Sequence, residues 1–377
     1  MHDALVRSCG SVGRVASQSR CARLVQSAVA LVTLLAVVAS TAGCSSASSP
    51  ASNEPRYVVL MNGNSPFWDA VGHGLKKAGA DLKVNAVLET NDATPKGQID
   101  KLRQFTTQSD IAGVAISVTD AANPAIADEL RKLRAKGVAV ITLDSDLDRA
   151  QFGDARAAFV GTDNLAGGRA LGITAKNLRP DGGAFVQFVG RTGAQNAIER
   201  MDGFVAGAGD KFKQLDRMGD ENDRSKARDN VRNALRNHPD LNVLVGIWSY
   251  NAPAIADIVK EMNVRDKTTV VVFDAEPLAI EEMAAGNIDA MVVQNPYEMG
   301  YQGVRLMKAL KADDKATIAE LLPNLGQPGG DLYDTGLKVV VPNENSPLKP
   351  EMFEAKTQFL KLSEFREWLN KFGLTGS

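Results

Sequence analysis

From Arg56 onward the chain alternates two apolar patterns. Unbroken runs such as YVVLM (57–61), VNAVLE (84–89), IAGVAIS (111–117) and VAVITL (138–143) have the length and β-branched content of buried strands. Between them, apolar residues recur at helical spacing. Phe67, Val71 and Leu75 do so in FWDAVGHGLKKAGADL, and Ile99, Leu102 and Phe105 in PKGQIDKLRQFTTQ. NPAIADELRKLRAKG reads as a helix ended by Gly137, a C-cap signal. A second series follows, with strands AFVG, GAFVQFVG, LNVLVGIW, TTVVVFD and IDAMVVQN separated by amphipathic helices. Such alternation predicts parallel sheets covered on both faces. The units are too many for one compact open sheet. The predicted fold class is therefore α/β, with two doubly wound parallel-sheet lobes and a seam near GTDN, 161–164. GLKVVVP (336–342) reads as a late strand. SPLKPEMFEAKTQFLKLSEFREWLNKFG (346–373) reads as a terminal helix with Phe359, Leu362, Phe365, Trp368 and Leu369 on one side.

The N-terminus has a different pattern. Arg7, Arg14, Arg20 and Arg23 make a basic region, followed by the apolar core AVALVTLLAVVA, 28–39. A core of this length suits a signal peptide rather than a membrane-spanning helix, which needs ~20 residues. Thr41, Ala42 and Gly43 before Cys44 resemble a bacterial lipobox, with threonine where leucine is usual. Residues 1–43 are thus expected to be a lipoprotein signal peptide and Cys44 the lipidated residue. Residues 44–55, rich in serine, are expected to be a flexible tether. Cys9 and Cys21 fall in the removed segment, so a mature chain keeps Cys44 alone and forms no internal disulfide.

A net charge of −2 over 377 residues gives no electrostatic footprint for nucleic acid. With only three histidines (His2, His73 and His238), metal and Ser-His chemistry are poorly supplied. DSDLD, 144–148, starts like a calcium loop but has Arg149 where glycine and Ala155 where glutamate are required. GTDNLAGGR lacks the GxGxxG spacing of a dinucleotide site, and no Walker A, HExxH or GxSxG sequence occurs. No cofactor is expected.

In parallel α/β sheets, ligands bind beyond the carboxyl ends of the strands. Residues placed there are Asn62, Asn64, Phe67 and Trp68; Ser117 and Asp120; Asp144; Arg191; Trp248, Ser249 and Tyr250; Asp274 and Glu276; Gln294 and Asn295. Arg200 lies within a helix and can turn toward the same end, or else pair with Glu199 or Asp202. Carboxylates, amides and guanidinium groups with flat aromatic rings suit a neutral polyhydroxylated ligand. The competing structural roles are specific. Asn64 or Ser65 caps the helix that follows, with Pro66 in its first turn. Phe67 packs in the core, Asp274 caps a helix, and Trp248 or Tyr250 is structural.

Six segments, in order, resemble the periplasmic sugar-binding proteins of the ribose-binding type, the solute-binding subunits of ABC importers. NSPFW resembles that family's Asn-Asn-Pro-Phe-Phe turn, VAVITLDSD its Pro-Val-Ile-Thr-Leu-Asp strand, and VGTDNLAGGRALG its Ser-Asp-Asn crossover. AIERMDGF, VVVFDAEP and DAMVVQNPYEMGYQGV match later segments in register. The resemblance implies a type I periplasmic binding protein fold with a hinge and a cleft between the lobes. It places residues 56–161 and 295–336 in the N-terminal lobe, 162–294 and 337–348 in the C-terminal lobe, and leaves 349–377 as a helical extension. It also implies that Phe67 and Trp68 sandwich a sugar, with Asn64, Ser65, Asp144, Arg200, Asp274 and Gln294 bonding to it. This chain departs from ribose binders at Ser145, where arginine is usual, at Asn222, near the second lobe's aromatic position, and at Ser249, where asparagine is usual. Trp248 or Tyr250 is the expected replacement stacking surface. The implied protein is a monomeric, non-enzymatic, exported lipoprotein. It captures a monosaccharide or small polyol and delivers it to the permease of an ABC importer. A sensor of the same fold that signals to a membrane receptor or kinase is the alternative. A glycosidase using Asp144 and Asp274 is a weaker one.

Overall fold

The computed structural model describes residues 54–377. The basic and apolar N-terminal segment, Cys44 and most of the tether lie outside the described residues. Two sheets organise the rest. The first orders its strands Leu332–Asp334, Phe159–Gly161, Ala139–Leu143, Ile111–Ile116, Arg56–Leu60 and Asn85–Glu89, all parallel. The second orders them Gln358–Lys361, Lys338–Val341, Ala290–Val293, Thr269–Phe273, Leu241–Gly246, Gly183–Val189 and Phe212–Gly219. Only the pairing of Ala290–Val293 with Lys338–Val341 is antiparallel. In each sheet the order reverses beside the lobe's first strand, which opens a crevice at the carboxyl ends.

The strands are unbroken apolar runs because helices cover both faces. Val58 and Leu60 pack into one cluster, while Tyr57, Val59 and Met61 pack into another on the opposite face. The chain passes between the sheets after Gly161, after Val293 and after Asp334. The helix Pro296–Ala312 therefore returns to the first lobe and packs on the helix Phe67–Leu82. Glycines set how close these two helices come. A Cβ on Gly74 would fall 1.9 Å from the Tyr297 carbonyl oxygen, and one on Gly300 would fall 2.1 Å from that of Val71. The second lobe repeats the device: the helix Asn164–Leu178 meets Gln195–Ala208 through Gly168 and Gly172 on one side and Gly203 and Gly207 on the other.

Two expectations are corrected. The segment 346–373 is not one helix: Gln358–Lys361 is an edge strand paired with Lys338–Val341, and only Leu362–Lys371 is helical among the longer elements there. The adjacent Phe359 and Leu360 pack into different clusters, as the period of a strand requires. The Glu364 side chain then accepts a hydrogen bond from the Lys361 N–H at 2.7 Å and starts the helix. That helix docks through Phe365 and Leu369, with the Lys338 ammonium 4.0 Å from the centre of the Trp368 ring. The second correction concerns the helix Phe67–Leu82. Neither Asn64 nor Ser65 caps it. Pro66 is the capping residue and no side chain caps that end. The backbone carbonyls of Ser65 and Pro66 close the turn instead, accepting from Trp68 and Asp69 at 3.0 and 3.1 Å. Among the described residues, no helix is long and apolar enough to cross a membrane.

Candidate functional site

Asp144 and Asp274 occupy equivalent places in the two lobes. Each follows a central strand, and each donates its backbone N–H to the next strand's carbonyl, Val160 at 3.1 Å and Val292 at 2.8 Å. Both then take left-handed backbone conformations, with φ of 63° and 65°. Non-glycine residues seldom adopt these values, and here they turn both carboxylates into the crevice.

Arg200 lies between them. It is 1% exposed, with Nη2 3.6 Å from Asp144 and Nη1 3.7 Å from Asp274. Its Nε donates to Asn164 Oδ1 at 2.8 Å, Nη1 donates to the Ile247 carbonyl at 3.2 Å, and the guanidinium lies 4.0 Å from the centre of the Phe273 ring. Neither alternative pairing of Arg200 forms. Glu199 faces Arg149 at 3.5 Å, and Asp202 bonds Arg217 at 2.7 Å. Neutral donors complete the carboxylates: Ser117 Oγ and Asn196 Nδ2 on Asp144 at 2.8 and 3.2 Å, and Gln294 Nε2 on Asp274 at 3.0 Å. Burial raises the Asp144 pKa in spite of Arg200. It pushes Asp274 up to about 7, with the nearby Asp144 charge adding to the effect. Burial also lowers the Arg200 pKa.

Aromatic rings line the crevice from both lobes. Phe67 and Trp68 are both buried and meet edge to face, with centroids 5.3 Å apart. Trp248 and Tyr250 come from the second lobe, where Gly190 makes room for them. A Cβ there would fall 2.2 Å from the Trp248 ring and 2.7 Å from the Tyr250 hydroxyl. Trp248 Nε1 donates to Asn196 Oδ1 at 3.2 Å, and the Tyr250 hydroxyl donates to Asp220. Asn251 also donates to Asp220, at 2.9 Å, and burial pushes the Asp220 pKa up to about 6. Ser249 donates to Glu276 at 3.1 Å.

Together these groups enclose about 380 Å³ of atom-free space, mouth included. Asn64, Ser65, Phe67, Trp68, Asp144, Arg200, Trp248, Ser249, Tyr250 and Asp274 all line it. Gln294 does not; it stands behind Asp274. Asn62 lines the space too, as does Asn222, which the resemblance puts near the second lobe's aromatic position; Gly63 and Asn196 line it without having been expected there. The other strand-end residues act locally. Asp120 accepts from Ala122 and Asn123 in its own turn, Asn295 caps the helix Pro296–Ala312, and Arg191 pairs with Glu221 at 2.8 Å. Asp146 of the calcium-like segment is spent on Arg156, Arg149 and Thr142. Among the described residues, no cluster of acidic, histidine or cysteine side chains is arranged to hold a metal.

The two doubly wound lobes, with a crevice at their seam, agree with what the comparisons with known proteins find. The model of the periplasmic binding protein domain matches residues 56–315. The chain belongs to that family. It is 25% identical to the ribose import binding protein RbsB of Salmonella typhimurium over 287 residues, covering 75% of this chain and 93% of the relative. It is also 25% identical to the D-allose-binding periplasmic protein of Escherichia coli over 274 residues, covering 71% of this chain and 87% of that one. A solved ABC transporter solute-binding protein from Burkholderia graminis, in complex with D-arabinose, aligns with a TM-score of 0.67 at 24% identity, covering 76% of this chain and 95% of the other. A glucose-galactose binding protein from Geobacillus stearothermophilus aligns at 0.66 and 23%, covering 76% and 97%. The solved structures share its fold, and the relatives are binding proteins rather than enzymes.

Proposed function

We propose that this periplasmic binding protein is an extracytoplasmic receptor for a monosaccharide or a small polyol, and that it hands its cargo to the permease of an ABC importer. One observation carries the reading. Arg200 of the second lobe sits between Asp144 of the first and Asp274 of the second, inside a cleft walled by aromatic rings from both lobes. Sugar hydroxyls both donate and accept, so they can bridge carboxylates and a guanidinium, while Phe67, Trp68 and Trp248 cover the C–H faces of a ring. Contacts that need both lobes favour the closed state, and this difference drives hinge closure. A micromolar dissociation constant requires about 8 kcal/mol net, within reach of a few charge-assisted hydrogen bonds and two stacked faces. The names of the ribose and allose relatives support the ligand class and the partner. In this reading the chain is exported, anchored through lipidated Cys44, and works as a monomer.

Isothermal calorimetry of the purified protein against pentoses, hexoses, polyols and nucleosides tests the ligand class. Micromolar binding of a sugar or polyol is expected, and silence across the whole panel would sink the reading. Mass spectrometry of membrane-extracted protein tests the anchor. The expected result is a diacylglyceryl mass on Cys44 that Cys44→Ser abolishes.

A further inference from the structure

We infer that the C-terminal tail, residues 373–377, positions Asp274 and Gln294 for the ligand, with Gly376 and Ser377 as positioning residues that do not line the cleft themselves. This rests on the sugar-receptor reading above. The tail lies beyond residues 56–315, which the family model matches. Its path is set by sequence. After the helix Leu362–Lys371, Gly373 takes a left-handed φ of 66°. Its N–H donates to the Asn370 carbonyl, and the Leu374 N–H donates to the Leu369 carbonyl, both at 3.0 Å. This is a glycine-dependent helix stop, and Leu374 joins Leu369 in one apolar cluster beside it. The chain then runs to the loop after the strand Thr269–Phe273, where Ser377 is 1% exposed. There the Ala275 N–H donates to the Ser377 main-chain oxygen at 2.6 Å, and the Ser377 N–H donates back to the Ala275 carbonyl at 2.9 Å. Ser377 Oγ donates to the Gln294 carbonyl at 3.1 Å. Gly376 permits this approach, since a Cβ there would fall 2.7 Å from the Ala275 carbonyl oxygen.

The two lobes differ at this point, and the difference shows what the tail supplies. By sheet register, Ile116 pairs with Thr142 in the first lobe and Gly246 with Val272 in the second. Asp144 therefore matches Asp274, Ser145 matches Ala275, and Val118 matches Trp248. In the first lobe the Val118 N–H donates to the Ser145 carbonyl at 3.0 Å, which holds the residue after the left-handed aspartate. Among the described residues the second lobe has no such bond, because the Trp248 N–H donates to Asn251 Oδ1 at 3.0 Å instead. The Ser377 N–H takes its place on the Ala275 carbonyl. A left-handed aspartate persists only where its surroundings over-determine it, and here the tail is part of them. Ser377 also holds the other half of the pair, since Gln294 Nε2 donates to Asp274 Oδ1 at 3.0 Å. Phe372, just before the tail, extends the contact to the crossing between lobes, with its ring centre 4.6 Å from that of Tyr297.

The test is a double-mutant cycle read by calorimetry. D-ribose, D-allose and D-galactose are titrated against the parent protein, and the tightest binder is used throughout. Gly376→Ala pushes the tail off Ala275, Ser377→Ala removes the hydroxyl from the Gln294 carbonyl, and Ser377→Thr keeps it; circular dichroism and melting curves show which are folded. Gly376→Ala should weaken binding about tenfold and Ser377→Ala about threefold, as for groups coupled within one hydrogen-bond network, while Ser377→Thr binds like the parent. In the Asp274→Ala protein the same changes should weaken binding by no more than about twofold, because the tail acts through Asp274. If Gly376→Ala does not fold, Ser377→Ala carries the cycle. Parental affinity in the variants, whatever their melting temperatures, overturns the inference and leaves the tail a brace of the lobe. A loss of affinity that is equal with and without Asp274 overturns it as well. In both cases the receptor reading stands. If the parent binds none of the three sugars nor any member of the calorimetry panel, the receptor reading falls and this inference falls with it.

Discussion

At the residue scale the site is governed by charge balance. Two buried carboxylates face one buried guanidinium, and the Asp274 pKa rises to about 7. An acid whose pKa is higher in the folded than in the unfolded state binds more protons when folded. Its stability cost is absent below the unfolded pKa, grows as pH rises from about 4, and is complete above about 7. The melting temperature of Asp274→Asn, measured without ligand, should therefore gain on that of the parent between pH 5 and pH 8; parallel curves would show that Asp274 ionises normally. Trp68→Ala and Asp274→Ala, if folded, should each weaken sugar binding about tenfold or more by calorimetry. How much was legible follows from position. Asp144 and Asp274 stand directly after apolar strands that periodicity identifies. Asn196 was missed although it lies four residues before Arg200 on the same helix face, a spacing that could have found it. Asn222 enters only through the family resemblance, because the strand before it carries no apolar pattern.

That strand, Phe212–Gly219, shows what the pattern of elements hides. It is an edge strand of composition FKQLDRMG, with several exposed side chains, so it lacks the apolar signature of the central strands. The C-terminal strand Gln358–Lys361 was hidden for the opposite reason: Phe359 and the helix residues after it share a spacing that mimics one continuous apolar face. The central elements were legible because they are buried on both sides. The glycine contacts between helices lie beyond any periodicity, yet they position the site. Gly168 lies against the backbone of Arg200, and Gly74 and Gly300 seat the helix that begins with Phe67 and Trp68. Gly300→Ala should cost about 1–3 kcal/mol and lower the melting temperature, because its Cβ would fall 2.1 Å from a backbone oxygen. Gly193→Ala, where a Cβ meets nothing within 4 Å, should leave it unchanged in the same calorimetric scan.

At the scale of the whole molecule the two lobes touch directly. Asn196 donates to Asp144, the Ala121 N–H donates to the Gly193 carbonyl at 3.2 Å, and Arg149 faces Glu199 at 3.5 Å. These contacts add to closure whatever sugar is bound. Asn196→Ala should thus speed release of every bound sugar by a similar factor, read by stopped-flow dissociation; a change confined to one sugar would make Asn196 a ligand contact instead. The threefold crossing between sheets has a further consequence, for the order in which the molecule is made. The first lobe begins at Arg56 but lacks the helix Pro296–Ala312, which covers Ile141 and Leu143, and the edge strand Leu332–Asp334, until nearly the whole chain exists. During synthesis the oldest part of the polypeptide thus waits with an apolar sheet face bare while the younger lobe is produced around it. No single cut in the chain yields a complete first lobe.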